Sequence, residues 1–332
     1  MKILYLSCHE TLEFDEVSLL TEMGHKVISY GTYYKPDQPG VLRPGIPNLF
    51  FDGELRSAVM QSSKDDLHPL LIEWADVIII MHITQWIENN WSKIKDKRVV
   101  WRSIGQSIPD IELKLEPYRR GGLQIVRYSP TEKRMRKYIG EDAVIRFYKD
   151  ENEFNGYVGD KEQVMTIAQA MCNPGREREL SWGIYNKVVK DLPAKLFGLG
   201  NECAGDLWGG QLGYDEMKSE LRQNRCYFYT GTKPAPYTLG FIEAMMTGIP
   251  IVAIGRGIAY DEFYEQDTYE ASDLIQSGVN GFASDKIDEL RDYIKELLNN
   301  QRFAKKISVE GRNTAVKLFG KAIIRHNWEN FL

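Results

Sequence analysis

The fold is indicated most clearly by Pro234-Ala-Pro-Tyr-Thr-Leu-Gly-Phe-Ile-Glu-Ala-Met-Met-Thr-Gly-Ile-Pro-Ile-Val-Ala253. A proline-rich loop leads into a helix that we predict to begin near Thr238, with the Thr238 hydroxyl capping the first free amides. The helix is predicted to end at Gly248, directly before a buried strand. A helix that begins at the carboxyl edge of a parallel sheet presents free N–H groups and a partial positive charge, which favour phosphate binding. Glu243 lies about one turn further in, where a carboxylate can accept hydrogen bonds from a diol such as ribose.

Short apolar runs alternate with helical patterns on both sides of this stretch. We predict strands at the following runs: Lys2–Ser7, Lys26–Tyr30, Val77–Met81, Arg98–Trp101, Leu123–Arg127, Gln163–Ala170, Ala194–Leu199, Arg225–Tyr229 and Ile249–Ile254. Their uninterrupted Val and Ile content is typical of parallel strands that are covered on both sides. A polar segment with two glycines, 150–160, separates two such series and is typical of a linker. The sequence therefore predicts an α/β protein with two Rossmann-like domains that face a central cleft.

Composition narrows the class of protein. The chain has 332 residues, 43% of them apolar and 27% charged, which is enough for two globular domains. Its net charge of −5 gives no reason to expect tight binding to a polyanion. No run reaches the ~18–20 apolar residues that span a bilayer, and the opening run is too short for a signal peptide. We expect a cytoplasmic protein, compatible with peripheral membrane contact, whose cysteines (Cys8, Cys172, Cys203 and Cys226) are free thiols rather than a disulfide pair.

The run Glu243–Ala253 resembles the Glu-Ala-Met-Ala-x-Gly-x-Pro-Val-Val-Ala signature of glycosyltransferase family four and its GT-B relatives. Weaker similarities occur in the family's order along the chain, at Val77–His82, Ile125–Ser129, Leu196–Gly200, Ser277–Phe282 and Val316–Phe319. The resemblance implies that residues 1–158 form the acceptor domain, to which residues 317–332 return. It also implies that residues 159–316 form the donor domain, with a hinge near 155–160 that closes on the donor.

The resemblance also implies roles for individual residues. Glu243 would bind the donor ribose, and the loop residues Tyr237, Thr238 and Leu239 would approach the donor phosphates and sugar. Gly200 would belong to a Gly-x-Gly turn of the donor domain. His82 would contact the donor sugar near the reaction centre, although its position at a strand end is equally typical of a packed structural histidine.

Three positions depart from the family pattern. A second glutamate that usually contacts the donor sugar is replaced by Ala235, and the first loop, Cys8–Asp15, lacks the usual glycines. An Arg and a Lys usually neutralise the diphosphate, and here Arg176 and Arg178 stand in that region. A diphosphate leaving group needs cationic or amide donors where its charge develops. We therefore assign Arg176 to catalysis and Arg178 to donor binding as the expected cationic groups.

Several other residues have two interpretations each. His9 and Arg102 follow predicted strands, so His9 can line the cleft, and Arg102 can hold an acceptor or a nearby carboxylate. Tyr33, Tyr34 and Trp86 can stack on sugar rings or belong to the core. The basic stretch from 118 to 137 is typical of a solvated face, and it would also suit a lipid or nucleic-acid acceptor.

The resemblance therefore implies a retaining hexosyltransferase that uses a nucleotide-diphosphate sugar. No metal or further cofactor is expected, because no Asp-x-Asp stands at a plausible strand end. The acceptor is left open between a saccharide, a lipid, another small molecule and a nucleic acid. Two alternatives remain: a catalytically silent nucleotide-sugar binding subunit, in keeping with Ala235, and a GT-B sugar-nucleotide epimerase. A Rossmann dehydrogenase is disfavoured, since no Gly-x-Gly-x-x-Gly follows an early strand.

Overall fold

The computed structural model describes residues 1–33 and 53–332. Within these residues the strands form two six-stranded sheets in which every paired strand is parallel. The first sheet contains β1 (Lys2–Leu6), β2 (Lys26–Tyr30), β3 (Val77–Met81), β4 (Arg98–Arg102), β5 (Gln124–Arg127) and β6 (Ala143–Val144), in the order β2-β1-β3-β4-β5-β6. The second contains β7 (Lys161–Ile167), β8 (Ala194–Phe197), β9 (Trp208–Gly210), β10 (Asn224–Tyr229), β11 (Ile251–Ile254) and β12 (Phe282–Ser284), in the order β12-β11-β10-β7-β8-β9.

Helices occupy most of the connections between these strands. In the first half of the chain they are α1 (Glu10–Glu22), α2 (Gly53–Gln61), α3 (Pro69–Trp74), α4 (Gln85–Ile94) and α5 (Pro109–Arg120). In the second half they are α6 (Trp182–Val189), α7 (Tyr214–Gln223), α8 (Leu239–Thr247), α9 (Arg256–Ala259), α10 (Ile287–Asn299), α11 (Gln301–Phe319) and α12 (Lys321–Phe331). Short 3₁₀ helices cover Pro130–Arg134 and Glu202–Leu207. The alternating pattern of the sequence is thus confirmed as an α/β fold with two parallel sheets.

Glycines in a left-handed conformation follow two helices, α1 and α8, and the one after α8 is at the predicted helix end. Helix α1 stops at Glu22, and Gly24 follows with φ +87°, a left-handed conformation that glycine adopts without a Cβ clash. Helix α8 stops at Thr247, and Gly248 follows with φ +94°. The five residues of β3 are all buried, as expected for a strand covered on both faces.

The last helix returns to the first sheet. Trp328 of α12 is fully buried, and its ring lies 5.6 Å from the Arg102 guanidinium at the end of β4. The Arg98 guanidinium donates hydrogen bonds to the carbonyls of Phe331 (2.6 Å) and Leu332 (2.7 Å). The end of the chain is therefore packed against the sheet in which the chain begins.

The two halves of the chain also contact each other through buried polar groups. The Arg146 guanidinium pairs with the Glu270 carboxylate, which also accepts a hydrogen bond from the Ser129 hydroxyl (2.5 Å). The Tyr237 hydroxyl donates to the Tyr128 carbonyl (2.6 Å). Because Ser129, Glu270, Tyr128 and Tyr237 are buried and Arg146 is partly buried, the contacts fix how the two sheets face each other.

Two sequence-based expectations need correction at the end of β7. The strand ends at Ile167 instead of Ala170, which has φ +51° and lies in a turn. The expectation of free thiols is wrong for Cys172 and Cys203, which form a disulfide, and holds for Cys8 and Cys226. The cause of the second error is topological. Strands β7 and β8 are neighbours, so the loops after them meet and bring the two Cα atoms within 6.1 Å.

Candidate functional site

A cleft of about 360 Å³ lies between the carboxyl edge of the second sheet and the first loop of the chain. The second sheet contributes the loop after β7 (167–169), the loop after β10 (230–232) and the start of α8. The first half of the chain contributes His9 and Thr11. Such a crevice, at the carboxyl ends of parallel strands, is the usual ligand site of this class of fold.

Helix α8 begins at the wall of this cleft. Its N-cap residue Thr238 and its first residues, Leu239 and Gly240, all line the cavity. The amides at a helix start have no carbonyl one turn earlier, so they are available to an anion, and the helix dipole adds a partial positive charge. The Thr238 hydroxyl does not cap the helix, contrary to our expectation. It instead lies 3.3 Å from the Tyr229 hydroxyl, which also accepts a hydrogen bond from the Thr238 amide (2.9 Å).

Glu243 lies one turn into α8 and lines the same cavity. Its side chain is only 9% exposed, and its Oε1 lies 2.8 Å from the Lys149 Nζ. The same ammonium lies 2.9 Å from the Asp15 Oδ2 of α1. Glu243 therefore faces the cleft as a carboxylate with one oxygen engaged by a buried cation, and Lys149 is a residue that the sequence patterns did not single out.

His9 faces this cluster from the first loop. Its Nδ1 accepts a weak hydrogen bond from the Leu12 amide (3.4 Å) at the start of α1. Burial, together with the positive charge of Lys149, lowers the pKa of His9 below its ordinary value. The His9 imidazole thus lines the cleft from a first loop, Cys8–Asp15, that contains no glycine. This observation decides the open interpretation of His9 in favour of a cleft-lining residue.

The two candidate arginines occupy different environments. Arg176 lines the cleft, and its Nε lies 3.4 Å from Glu179. Arg178 does not line it: its guanidinium lies 3.8 Å from Asp261 and over the exposed ring of Phe263. The two side chains are both about half exposed, so neither is bound to its carboxylate partner strongly. Only Arg176 is placed to meet a ligand of this cleft.

Two other predicted donor-site residues, Tyr237 and Gly200, do not line the cleft. Tyr237 is 2% exposed and packs between the halves of the chain, with its ring against Tyr128 and Phe319, and is absent from the cleft wall. Gly200 has φ +75° in the turn after β8 and also lies outside the cleft wall. In the same turn, a Cβ at Gly198 would stand 2.1 Å from the Ala168 carbonyl oxygen, so the Gly-x-Gly pattern permits close backbone packing.

The structure separates His82 from this group. His82 follows β3 with φ +58° and lines a much smaller cavity of about 10 Å³ with Trp101, Ser103 and Gln106. Its ring centroid lies 6.2 Å from that of Trp101, and burial lowers the pKa of His82. His82 therefore stands at the carboxyl edge of the first sheet, outside the cleft that holds Glu243 and Arg176.

The remaining candidates are mainly structural. Arg102 is fully buried and holds a carboxylate, Glu16, with 2.5 Å between its Nη2 and Oε1. Tyr33 and Trp86 are buried in the cores, and Tyr34 lies outside the described residues. Arginines of the basic stretch are paired with carboxylates in Arg119–Asp142, Arg120–Glu116, Arg134–Asp273 and Arg136–Glu265. Within residues 1–33 and 53–332, no group of three or more His, Cys, Asp and Glu side chains is arranged to hold a metal ion, and no helix is long and apolar enough to cross a membrane.

The sequence analysis missed the loop after β10. Thr230, Gly231 and Thr232 line the cleft beside the start of α8, and Gln169 lines it from the loop after β7. Their position directly after predicted strands was a usable signal, because carboxyl-end loops of neighbouring parallel strands converge. Lys149 gave no such signal, since it lies in an irregular segment after β6.

The class that this architecture defines is the GT-B fold, in which two Rossmann-like domains face a cleft. Solved glycosyltransferases of this fold superpose on essentially the whole chain. A sucrose-phosphate synthase from Thermosynechococcus elongatus gives a TM-score of 0.68 at 13% identity, covering 100% of this chain and 98% of that one. No protein-family model and no curated protein sequence matches this chain.

Two further solved structures contain ligands. HepE from Anabaena, in complex with UDP-glucose, gives a TM-score of 0.66 at 14% identity and covers 100% of this chain and 99% of that one. An alpha-glucosyltransferase in complex with UDP-glucose and DNA containing an abasic site gives 0.62 at 12% identity, with 99% and 98% covered. At these identities the similarity establishes the fold.

Proposed function

We propose that this protein is a glycosyltransferase that takes a hexose from a nucleoside-diphosphate sugar and transfers it with retention of configuration. The observation that carries the proposal is the convergence of the α8 start, Arg176 and Glu243 on one cleft. The helix amides and Arg176 would hold the diphosphate, and Glu243 would accept hydrogen bonds from the ribose. Residues 159–316 would thus form the donor half and residues 1–158, with 317–332, the acceptor half.

The acidic residues of the cleft bear on the chemistry. Among the described residues that line the cavity, Glu243 is the single carboxylate, and Lys149 engages it. Retention through a covalent carboxylate intermediate would need a second one, and Ala235 stands where relatives carry it. We therefore propose that the departing diphosphate accepts the acceptor's proton, while Arg176 and the helix amides stabilise its developing charge without a metal ion or further cofactor.

The proposal extends to the substrates and the compartment. Because HepE and the alpha-glucosyltransferase were solved with UDP-glucose, UDP-glucose is the first donor to test. The acceptor would enter from the first half of the chain, where His82 stands at the sheet edge beside Ser103 and Gln106. Saccharides, lipids, other small molecules and nucleic acid are the acceptor classes to screen, and we place the reaction in the cytoplasm.

A silent nucleotide-sugar binding subunit is the second candidate. The observation that favours it is Ala235, which is 3% exposed and offers no group to the donor sugar. An epimerase fits less well, because it needs acid and base groups in the cleft, and among the described lining residues only Glu243 is a carboxylate.

A ligand screen tests the proposed function. Thermal unfolding would be followed with UDP, GDP, ADP, CMP, dTDP and their common sugars. A ligand at ~100 times its dissociation constant stabilises the fold by about 2.7 kcal/mol. The nucleotide sugar that stabilises would then be incubated with and without acceptors. Glycosylated acceptor or sugar release supports the transferase. Binding without turnover identifies a silent subunit, an isomerised nucleotide sugar identifies an epimerase, and no binding at all contradicts every form of the proposal.

Replacement of Arg176 by Ala is expected to weaken UDP binding about tenfold, because it removes a charge-assisted contact to the diphosphate. The affinity for uridine, which lacks the phosphates, should stay unchanged. The matched control is Arg178→Ala, a half-exposed arginine two positions later that points to Asp261 and Phe263. Calorimetric titrations of both variants with UDP and uridine would decide. Equal losses in the two variants would contradict the assignment of Arg176.

A further inference from the structure

We propose that Lys149 is a positioning residue for the donor nucleotide, which holds Glu243 in place for the ribose from the segment that joins the two halves of the chain. The inference rests on the proposed function and deepens it. According to this inference, Asp15 and Lys149 of the first half of the chain contribute to donor binding although neither residue lines the cleft.

The geometry of Lys149 is that of a bridge. Its ammonium lies 2.8 Å from the Glu243 Oε1 in α8 and 2.9 Å from the Asp15 Oδ2 in α1. The aliphatic and charged parts of the side chain are fully buried, and the Phe154 ring lies 5.5 Å from the Nζ. A lysine buried to this degree is stable only where carboxylates compensate its charge, so all three side chains are held in one arrangement.

The contact with Lys149 holds the Glu243 side chain in place. Its Oε1 lies 2.8 Å from the Lys149 Nζ, and burial together with the positive charge of Lys149 lowers the pKa of the neighbouring His9. Without Lys149, Glu243 would lose this buried partner, and its side chain would be free to turn away. Lys149 therefore keeps Glu243 oriented at the cleft that it lines.

Lys149 also stands where the chain crosses between the two halves. It belongs to the segment between β6 and β7, and its amide donates a hydrogen bond to the carbonyl of Phe319 (3.1 Å). Phe319 is the last residue of α11, after which α12 returns to the first sheet. The two segments that connect the halves of the chain, one between β6 and β7 and one between α11 and α12, are thus in contact at Lys149, the residue that holds Glu243. A change in the relative position of the two halves would therefore displace the ribose-binding carboxylate.

The test compares UDP with 2′,3′-dideoxy-UDP, which lacks the ribose diol. In the wild-type protein the diol should improve binding at least about tenfold, since the dideoxy nucleotide cannot donate the hydrogen bonds that the buried Glu243 carboxylate would accept from the diol. In Lys149→Met this ratio should fall to less than about threefold, because Glu243 is no longer held. A residue with a merely structural role would lower the affinity for both nucleotides equally and leave the ratio intact.

Two further variants protect the test against misfolding. Asp15→Asn is nearly isosteric, removes the carboxylate that lies 2.9 Å from the Lys149 Nζ, and should lower the ratio in the same direction by a smaller factor. The matched control is Arg146→Met, which breaks another buried ion pair between the two halves, with Glu270, and should leave the ratio at its wild-type value.

The outcomes separate this inference from the proposed function. Wild-type protein that binds neither UDP nor UDP-glucose overturns both. A wild-type preference for the diol that persists in Lys149→Met and Asp15→Asn overturns the role of Lys149 and leaves the donor site standing. An equal decrease in Arg146→Met would assign the effect to the contact between the halves in general, and would also overturn the role of Lys149.

Discussion

Glu243→Ala is expected to lower the affinity for UDP and UDP-glucose by about 10- to 100-fold, the effect of removing hydrogen bonds to a charged acceptor in a buried site. The affinity for inorganic pyrophosphate should stay unchanged, because pyrophosphate meets Arg176 and the helix amides but has no ribose. The fold should survive the change, since Lys149 keeps the Asp15 carboxylate as a partner. Calorimetric titration with the three ligands measures the effect.

Two variants control this experiment. Glu243→Gln retains the shape of the side chain and removes its charge, so it should recover only part of the affinity. Glu289→Ala removes a carboxylate from the first turn of another helix, α10, where it pairs with Lys286 at the surface, and should change no affinity. A loss of pyrophosphate binding equal to the loss of UDP binding would show that Glu243 stabilises the whole site and does not bind the ribose specifically.

The predictable part of the fold was the part encoded in local patterns. The strands have continuous apolar runs, and glycines at Gly24 and Gly248 follow the ends of two helices. Strands and helix ends of this kind can be recognised in the sequence without a structure. The disulfide was not, because Cys172 and Cys203 are separated by 31 in sequence, and the sequence between them does not show that β7 and β8 are neighbours. Strand order is a long-range property, and it alone brings those two loops together.

The site divides in the same way. Thr238 and Glu243 were predicted from a helix start followed by a buried strand, Leu239 was assigned through the family resemblance, and all three line the cleft. His82 and Arg178 were assigned through the family resemblance, and neither lines the cleft that contains Glu243. His82 has a left-handed φ after β3, and the Arg178 guanidinium lies near Asp261 and Phe263. Lys149 was missed because its position depends on long-range packing: the segment between β6 and β7 lies against the end of α11, and no local pattern in the sequence shows this contact.

Arg102→Met is expected to destabilise the protein by about 3–5 kcal/mol, the usual cost of breaking a buried ion pair by removing one partner. The Arg102 guanidinium binds Glu16 through Nε and Nη2 and donates to the Ile145 carbonyl (2.6 Å). Without it, the buried Glu16 carboxylate keeps, within residues 1–33 and 53–332, only the hydrogen bond from the Tyr5 hydroxyl. Because the guanidinium also lies over the rings of Phe147 and Trp328, its loss should loosen α12 from the first sheet.

Urea denaturation followed by tryptophan fluorescence measures this cost, since Trp101 and Trp328 are both buried near the altered side chain. The matched control is Arg325→Met in α12, which removes an exposed partner of Glu329 and should cost less than about 0.5 kcal/mol. Adding Glu16→Gln to Arg102→Met should recover part of the loss, because the isolated charge, and not the missing packing, dominates the cost. A loss below about 1 kcal/mol in Arg102→Met, or no recovery in the double variant, would contradict the assignment of Arg102 and Glu16 as an ion pair that stabilises the fold.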